Sequence, residues 1–494
     1  MKYLLLIIVL LLSANTKSQD TRVPVDSVVV TSNSVVIKGK EIKYKAQTGT
    51  QPVFDEQGNI KATLFYTYYY RTDVKQVEKR PIIMSFNGGP GSASVWMHLA
   101  YTGPKILKID NEGNPIQPYG IKDNSSSVLD LADIVFINPV NTAYSRPVVE
   151  KDEKFDPKYF FGVNADAKYL ANWLNTFITR NNRWQSPKYI IGESYGGTRA
   201  MQLAYELQNN QWMYLNGVIM VSPADYSLIR TNSSENYAIN FPYFTATAWY
   251  HNKLAPALQQ QDILDILPES ESFAINKLLP ALAKGGFISE RQKQRIAEKM
   301  AYYSGLDKKV ILQHNLEVPN SFFWKELLRN SNGKTLGRLD SRYLGIDRKE
   351  SGSRPDYNPE LVSWLHSFAP AINYYVKNIL KFKTDVKYNI FGFVHPWNYQ
   401  NNNARENLRK AMAQNPYLKV MVQSGYYDGA TTYSAAKYTL SKIDPSGKLK
   451  HRLFFKAYRS GHMMYLRKED LEKANEDLRT FIKQSSGDIG SAKY

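Results

Sequence analysis

The sequence contains no cysteine among its 494 residues. Disulfides, thiolate zinc sites, iron–sulfur clusters and a cysteine nucleophile are therefore excluded. Hydrophobic residues make up 43% and charged residues 22% of the chain, and no internal repeat or long low-complexity stretch occurs. This balance excludes disorder, collagen and coiled coil for the bulk of the chain. A chain of this length buries enough surface to hold its fold without disulfides.

Two other signatures are missing. The sequence has neither the G-x-x-x-x-G-K-[ST] loop that cradles phosphates nor the H-E-x-x-H metal pair, so we expect no metal and no cofactor. Lys and Arg number 63 against 45 Asp and Glu, a net charge of +18, but they are scattered and accompany no zinc-finger or RNA-binding motif. We therefore expect no nucleic-acid partner and interpret the charge as a solvated exterior or a loose attraction to anionic surfaces.

The N-terminus has the pattern of a secretory signal peptide. A short basic start precedes an apolar run at residues 4–12 and then small and polar residues, so we expect residues 1–18 to be removed before Gln19. As a helix the run would reach only about 14 Å, against about 30 Å for a hydrocarbon core. The alternative is a buried first strand or helix. No later window is apolar over about 20 residues, so we expect an exported protein, periplasmic or extracellular, without a membrane span in the mature chain.

Strand and helix patterns alternate along most of the chain. Residues 27–37, 41–45 and 60–71 are typical of β-strands, and short apolar runs between Gly, Pro and Asn predict strands buried on both faces. Helical apolar faces occupy residues 167–177, 200–207 and 471–481. This alternation predicts an α/β protein with a doubly wound, mostly parallel sheet. The apolar runs are residues 81–86, 132–137, 189–191, 215–222, 418–423 and 453–458.

The pattern changes between residues 227 and 403, which are rich in aromatics, Asn and helical fragments. We interpret this segment as a large, mainly helical cap inserted into a core formed by residues 19–226 and 404–484. Residues 485–494 are expected to form a frayed C-terminal tail.

Residues 192–196 (GESYG) fit the G-x-S-x-G pattern, which is weak by itself. Its context strengthens it, because the pattern follows an apolar strand and opens a helix. That strand–turn–helix arrangement is typical of a nucleophile elbow, with Ser194 exposed at the tip. The alternative is an ordinary glycine-rich turn with a capping serine.

A serine nucleophile needs a base and an acid, in the chain order Ser, Asp or Glu, His. His462 lies on the loop between the last predicted strand and the closing helix, where it fits better than the other six histidines. Asp428 occupies the matching loop after residues 418–423 and would orient the imidazole. A turn aspartate before Gly429 is the alternative interpretation of Asp428, and Asp444 is a weaker rival for the acid.

Acyl transfer also needs two preset N–H donors for the oxyanion. Tyr195, directly after Ser194, supplies one. The loop at residues 87–91 (NGGPG) follows a predicted strand and is suited to supply the other, because its glycines let the backbone approach a substrate.

Four motifs together resemble the serine carboxypeptidase family. They occur in family order and are specific in combination: residues 87–94 (NGGPGSAS), 138–145 (NPVNTAYS), 192–197 (GESYGG) and 460–462 (SGH). The resemblance implies an α/β-hydrolase fold with a helical cap and the release of single residues from peptide C-termini.

The resemblance also implies roles for particular residues. It assigns Ser194, Asp428 and His462 to the catalytic triad and the amides of Gly89 and Tyr195 to the oxyanion hole. It further implies that the terminal carboxylate of the substrate is bound by Asn87, Gly88 and Glu193.

The sequence departs from the family pattern at three positions. Ser92 stands where a cysteine is usual, and Ala143 stands where a glycine is usual. Tyr101 appears in place of the second carboxylate-binding Glu, and we expect it to modulate the site by donating its hydroxyl to Glu193. A bacterial-type branch without disulfides would fit these departures.

The sequence thus predicts an exported serine carboxypeptidase acting on peptides through an acyl-enzyme on Ser194. An esterase or acyltransferase with the same triad is one alternative. A non-catalytic binding protein on a hydrolase scaffold is another. The sequence does not indicate the side-chain preference or the oligomeric state.

Overall fold

The computed structural model describes residues 23–149, 154–229, 233–400, 402–486 and 490. The predicted signal peptide, residues 1–18, lies outside these ranges, as does most of the predicted tail. Within the described ranges, no helix is both long and apolar enough to cross a membrane.

One large sheet organises the fold, and two small two-stranded sheets accompany it. In chain order the strands are β1 (Ser27–Ile37), β2 (Lys40–Phe54), β3 (Ile60–Tyr70), β4 (Ile82–Phe86), β5 (Lys105–Leu107), β6 (Ile121–Asp123), β7 (Asp133–Ile137), β8 (Arg146–Pro147), β9 (Lys188–Glu193), β10 (Gly217–Val221), β11 (Thr335–Leu336), β12 (Leu344–Gly345), β13 (Lys419–Gly425) and β14 (Leu453–Tyr458).

The ten-stranded sheet has the order β1-β2-β3-β7-β4-β9-β10-β13-β14, with β8 paired to β3. Strands β7 to β14 along this path pair in parallel, whereas β1, β2 and β3 pair antiparallel. Every residue of β4, β7 and β10 is buried, because helices cover both faces of the parallel part. At the edge, β1 alternates between half-buried and exposed residues along most of its length.

The helices surround this sheet and fill the segment between β10 and β13. They are α1 (Val95–Ala100), α2 (Val163–Arg180), α3 (Tyr195–Asn210), α4 (Tyr226–Ile229), α5 (Ser234–Tyr250), α6 (Pro256–Gln259), α7 (Ile263–Phe273), α8 (Leu279–Leu282), α9 (Glu290–Ser304), α10 (Lys308–Gln313), α11 (Asn320–Glu326), α12 (Arg329–Asn332), α13 (Pro359–Tyr374), α14 (Ala404–Gln414), α15 (Tyr433–Ile443) and α16 (Lys468–Ser486).

Apolar side chains form a core on each face of the sheet. One core joins the sheet to α1, α13 and α16, and the other joins it to α2, α3, α14 and α15. A third core lies among α5, α7, α9 and α11, within the segment interpreted as a cap. The prediction of a doubly wound, mostly parallel α/β sheet is confirmed.

The predicted strands correspond closely to the observed ones. The run at residues 453–458 is β14, and residues 81–86 contain β4. The strand expected at residues 41–45 is longer than predicted, because β2 pairs with β1 and then continues along β3 to Phe54. Between residues 227 and 403 the described strands are only β11 and β12, of two residues each.

A buried ion pair connects two helices to the loop after β4. The guanidinium of Arg199, on α3, donates to the Asp166 carboxylate of α2 over 2.7 Å and to the Asn87 carbonyl over 2.6 Å. Both charged side chains are at most 1% exposed. The hydroxyl of Tyr195 also donates to Asp166, over 3.1 Å. This network therefore fixes the start of α3 relative to Asn87.

We expect Asp166→Ala to lower the free energy of unfolding by about 3–5 kcal/mol, because Arg199 would remain buried without its counter-charge. Urea denaturation measures the change. The control is Glu406→Ala, which breaks a surface ion pair between Glu406, 50% exposed, and Arg409, 36% exposed. This variant should lose less than about 1 kcal/mol of unfolding free energy. Equal losses in the two variants would contradict the role of the buried pair.

Candidate active site

The turn between β9 and α3 carries Ser194. Its backbone has φ 61° and ψ −124°, a conformation that a residue with a side chain adopts only at a cost. The Ser194 N–H donates to the Val221 carbonyl over 2.9 Å. A Cβ on Gly192 would lie 1.9 Å from the Gly196 carbonyl oxygen, so the turn requires glycine there. This geometry is that of a nucleophile elbow.

His462 and Asp428 are paired beside this turn. The Nδ1 atom of His462 lies 2.7 Å from Oδ2 of Asp428, and both side chains are buried. The other oxygen of Asp428 accepts the backbone N–H groups of Ala430 and Thr431 over 2.8 and 3.0 Å. With its carboxylate held in this way, Asp428 fixes the imidazole so that Nε2 is left available as a base.

The structure does not bring the rival residues to this site. Asp444 accepts the Ser446 hydroxyl and the Leu449 N–H, so it closes the turn before β14. His98 lies in the core, where its Nε2 is 2.6 Å from the Tyr69 hydroxyl, and burial lowers its pKa to about 3.

The loop after β4 lies directly against the start of α3. A Cβ on Gly88 would be 2.5 Å from the Tyr195 backbone nitrogen, and Gly89 has a φ of +104°. Tyr195 is the first residue of its helix, so its N–H has no acceptor within the helix. The start of the helix also favours negative charge. The arrangement thus suits an oxyanion held by the Gly89 and Tyr195 amides.

Glu193 is buried next to Ser194. Its Oε2 atom accepts the Tyr465 hydroxyl over 2.7 Å and also the Asn87 side-chain amide. Its Oε1 atom is buried and has no hydrogen-bond partner among the described residues. A proton on this carboxyl group therefore belongs on Oε1, the oxygen to which no described group donates.

Burial raises the pKa of Glu193 to about 7, although His462, Tyr465 and Asn87 each act to lower it. Burial also lowers the pKa of His462, but the Asp428 charge and hydrogen bond and the Glu193 charge outweigh it. The pKa of His462 consequently lies above its ordinary value. The two groups thus titrate under each other's influence within one cavity.

The expectation for Tyr101 is wrong. Its hydroxyl donates to Gln423 over 2.6 Å and lies 3.3 Å from the Ala474 carbonyl, not at Glu193. The hydroxyl that reaches Glu193 belongs to Tyr465, and the two tyrosine rings stack with centroids 5.0 Å apart. Since Tyr101 extends past this stack into the core, it can act on Glu193 only through the position of Tyr465.

The other two departures have simple structural consequences. Ser92 accepts the indole N–H of Trp96 over 2.7 Å and donates to the Ala93 carbonyl, so its hydroxyl is satisfied without a disulfide. Ala143 has a φ of 46°, in the left-handed region that favours glycine. That backbone conformation explains why a glycine would be usual at position 143.

A cavity of about 200 Å³ connects these groups. Ser194 and His462 line it together with residues of the loop after β4 and of the segment 338–391. No group of three His, Cys, Asp or Glu side chains able to hold a metal is found in the described part of the chain. The lining residues are Asn87, Gly88, Gly89, Ser92, Trp96, Glu193, Ser194, Arg338, Leu339, Asn358, Leu361, Phe391, His462 and Met463.

Sequence reasoning missed several residues of this site, among them Thr431, Tyr465 and Arg338. Thr431 donates to Asp428 Oδ2 over 2.7 Å and lies 3.1 Å from His462 Nδ1. A hydroxyl three residues after a turn aspartate is a local signal that could have identified it. Tyr465 and Arg338 carry no such signal, because only the folded chain brings Tyr465 to Glu193 and Arg338 to the cavity.

Comparisons with known proteins identify the family of this chain. A family model described as serine carboxypeptidase matches residues 45–474. Serine carboxypeptidase-like 13 from Arabidopsis thaliana is 26% identical over 270 residues, which cover 53% of this chain and 54% of that protein. Serine carboxypeptidase-like 36 from the same plant is 30% identical over 174 residues, 34% of this chain and 33% of that protein. The matched segments thus span about half or less of these relatives.

Among solved structures, the chain resembles Kex1(delta)p, a prohormone-processing carboxypeptidase from Saccharomyces cerevisiae. The TM-score is 0.56 at 14% identity, covering 89% of this chain and 91% of that one. This likeness concerns the fold and confirms the α/β-hydrolase architecture. Because the family model spans most of the sequence, from residue 45 to residue 474, the chain belongs to the serine carboxypeptidase family.

Proposed function

We propose that this protein is an exported serine carboxypeptidase that releases single residues from peptide C-termini through an acyl-enzyme on Ser194. The observation that supports it most is one cavity lined by Ser194, His462, Asn87 and the buried Glu193. This cavity places the nucleophile Ser194 and its base His462 beside a site suited to a free carboxylate. Export rests on the sequence pattern of residues 1–18, and a bacterial-type origin stays a prediction, since both relatives named above come from a plant.

In the proposed reaction, the Ser194 hydroxyl attacks the scissile carbonyl carbon and His462 accepts its proton. The Gly89 and Tyr195 amides stabilise the oxyanion that forms. His462 then gives the proton to the leaving nitrogen, and the C–N bond breaks. Water, deprotonated in turn by His462, attacks the carbonyl carbon of the acyl-enzyme. The ester bond to Ser194 then breaks, and His462 returns the proton to the Ser194 oxygen. Throughout, Asp428 stabilises the imidazolium.

The terminal carboxylate of the substrate needs a partner that does not repel it. Asn87 and a protonated Glu193 supply one, because a neutral carboxyl group donates a hydrogen bond whereas a carboxylate repels. Burial keeps the pKa of Glu193 near 7, so the neutral form prevails in mildly acidic solution. Glu193 therefore lets the proposed enzyme bind peptide C-termini below about pH 7, and the binding weakens as Glu193 ionises.

We expect Ser194→Ala, Asp428→Asn and His462→Ala each to lower kcat by about 10³-fold or more, with combined losses far from additive, because the three groups act as a unit. Steady-state hydrolysis of a blocked dipeptide measures this. Asp444→Asn is the matched control and should retain parental kcat. A silent Asp428→Asn beside an impaired Asp444→Asn would overturn the assignment of the acid.

Labelling of Ser194 separates an enzyme from a binding protein. A fluorophosphonate should label the parent and fail to label Ser194→Ala, because only an activated serine hydroxyl reacts. No labelling of the parent would favour a non-catalytic protein on a hydrolase scaffold. Product analysis with an amine or alcohol acceptor then distinguishes hydrolysis from acyl transfer.

Peptide hydrolysis should weaken as pH rises above about 7, and mainly through KM, because ionised Glu193 repels the bound carboxylate. The rise in KM should approach about tenfold per pH unit, as for one essential proton. A matched substrate with an amidated C-terminus lacks the charge and should escape the decline. At low pH the rate of hydrolysis should fall in the same way for both substrates, because His462 must be neutral to act as base.

Three variants test the origin of this decline. Glu193→Gln should abolish it, because an amide donates at every pH. Tyr465→Phe should move it to higher pH, since the Tyr465 hydroxyl lowers the pKa of Glu193. Tyr101→Phe is the control and should leave it in place, because that hydroxyl bonds Gln423. Superimposable profiles for peptide and amide would reject the carboxylate site and favour an esterase or acyltransferase.

A further inference from the structure

Apolar side chains and one strong cation line the substrate cavity. Trp96, Leu361, Phe391 and Met463 supply the apolar surface. Arg338 is the one Lys or Arg among the described residues that line it, and its side chain is exposed. An arginine in a cavity of about 200 Å³ lies within reach of any substrate that fills the cavity.

The backbone of Arg338 is fixed against the catalytic loops. It belongs to the loop 338–341, between β11 and β12, and its carbonyl accepts the Gly429 N–H over 3.0 Å. The next carbonyl, that of Leu339, accepts the His462 N–H over 2.7 Å. The buried carboxyl group of Glu360 accepts the Leu339 N–H over 2.8 Å. Arg338 is therefore anchored beside both His462 and the loop that carries Asp428.

The charge of Arg338 has no ion-pair partner among the described residues. Its neighbour Asp340 is paired with Arg342 over 2.7 Å and also accepts the Gly461 N–H. Burial raises the pKa values of Glu193 and Glu360 to about 7, so both are mainly neutral in mildly acidic solution. Under those conditions the positive charge in the cavity is uncompensated.

We propose that Arg338 is a specificity-determining residue that selects substrates with a carboxylate side chain, Asp or Glu, on one of the two residues flanking the scissile bond. This inference rests on the proposed carboxypeptidase function and adds a substrate class to it. A guanidinium recognises a carboxylate with planar, paired hydrogen bonds, and its charge persists at every relevant pH.

The terminal carboxylate of the substrate is a different group with a different site. Asn87, Gly88 and Glu193 lie at the carboxyl ends of β4 and β9, whereas Arg338 belongs to the segment inserted between β10 and β13. A peptide bound to the first site presents its side chains to the remaining walls of the cavity, and Arg338 lies in those walls.

The experiment compares blocked dipeptides that differ only in charge. One pair has Glu or Gln as the terminal residue after Phe, and the other has Glu or Gln before a terminal Phe. Assays at pH 6 keep the substrate carboxylate ionised and Glu193 mainly protonated. In at least one pair, the parent should favour Glu over Gln in kcat/KM by about fivefold or more, and added salt should reduce the preference.

Variants identify the residue responsible. Arg338→Gln should remove the Glu preference, lowering kcat/KM by about fivefold more for the Glu substrates than for the Gln substrates, and Arg338→Lys should keep part of the preference. Arg348→Gln is the matched control: Arg348 is also exposed, lies ten positions further along and does not line the cavity. It should leave the preference unchanged.

Three results would overturn the inference. The parent could show no Glu preference in either pair, or the preference could persist in Arg338→Gln. Arg338→Gln could also weaken Glu and Gln substrates equally, with the loss absent for C-terminal amides, which would assign Arg338 to the terminal carboxylate. In each case hydrolysis of the Gln substrates shows that the proposed function stands. No hydrolysis of any dipeptide by the parent would reject the proposed function, and this inference with it.

Discussion

The site depends on the close backbone approach at the turn between β9 and α3. Gly192 and Gly196 are in such contact that a side chain on Gly192 would collide with a carbonyl oxygen. The strained backbone of Ser194 lies between them, held by its hydrogen bond to Val221. Within three residues this turn carries the Glu193 carboxyl and the Ser194 hydroxyl, which belong to residues lining one cavity, and the Tyr195 N–H. Because the turn is rigid, the positions of these three groups relative to one another are fixed.

Burial of charge governs the chemistry around that turn. Glu193 is desolvated strongly enough that burial outweighs three groups that stabilise its ionised form. Asp166 and Arg199 are equally buried but neutralise each other over 2.7 Å. Burial thus raises the pKa of Glu193, which has no guanidinium partner among the described residues, whereas Asp166 forms an ion pair with Arg199 that supports the structure. The difference arises from the nearest counter-charge and not from the degree of burial.

The segment between β10 and β13 also contributes to the site. Its loop 338–341 bonds the His462 loop through Leu339 and the Asp428 loop through Arg338. Residues 389–392 of the same segment bond the loop after β4, through the Ala93 N–H to Ile390 and the Gly392 N–H to Gly91. The insertion therefore contacts the His462 loop, the Asp428 loop and the loop after β4, and it adds the cation of Arg338 to the cavity.

The sequence by itself determined the sheet, the turn at Ser194 and the identity of the His462–Asp428 pair, because each depends on local patterns and chain order. Apolar runs bounded by glycine and proline can be identified from the sequence before the fold is known. Only the tertiary structure decided that Tyr465, not Tyr101, reaches Glu193, and that Arg338 enters the cavity. Contacts of this kind join residues far apart in the chain, such as Tyr465 and Glu193, and side-chain direction in the folded core selects between two tyrosines that the sequence cannot tell apart.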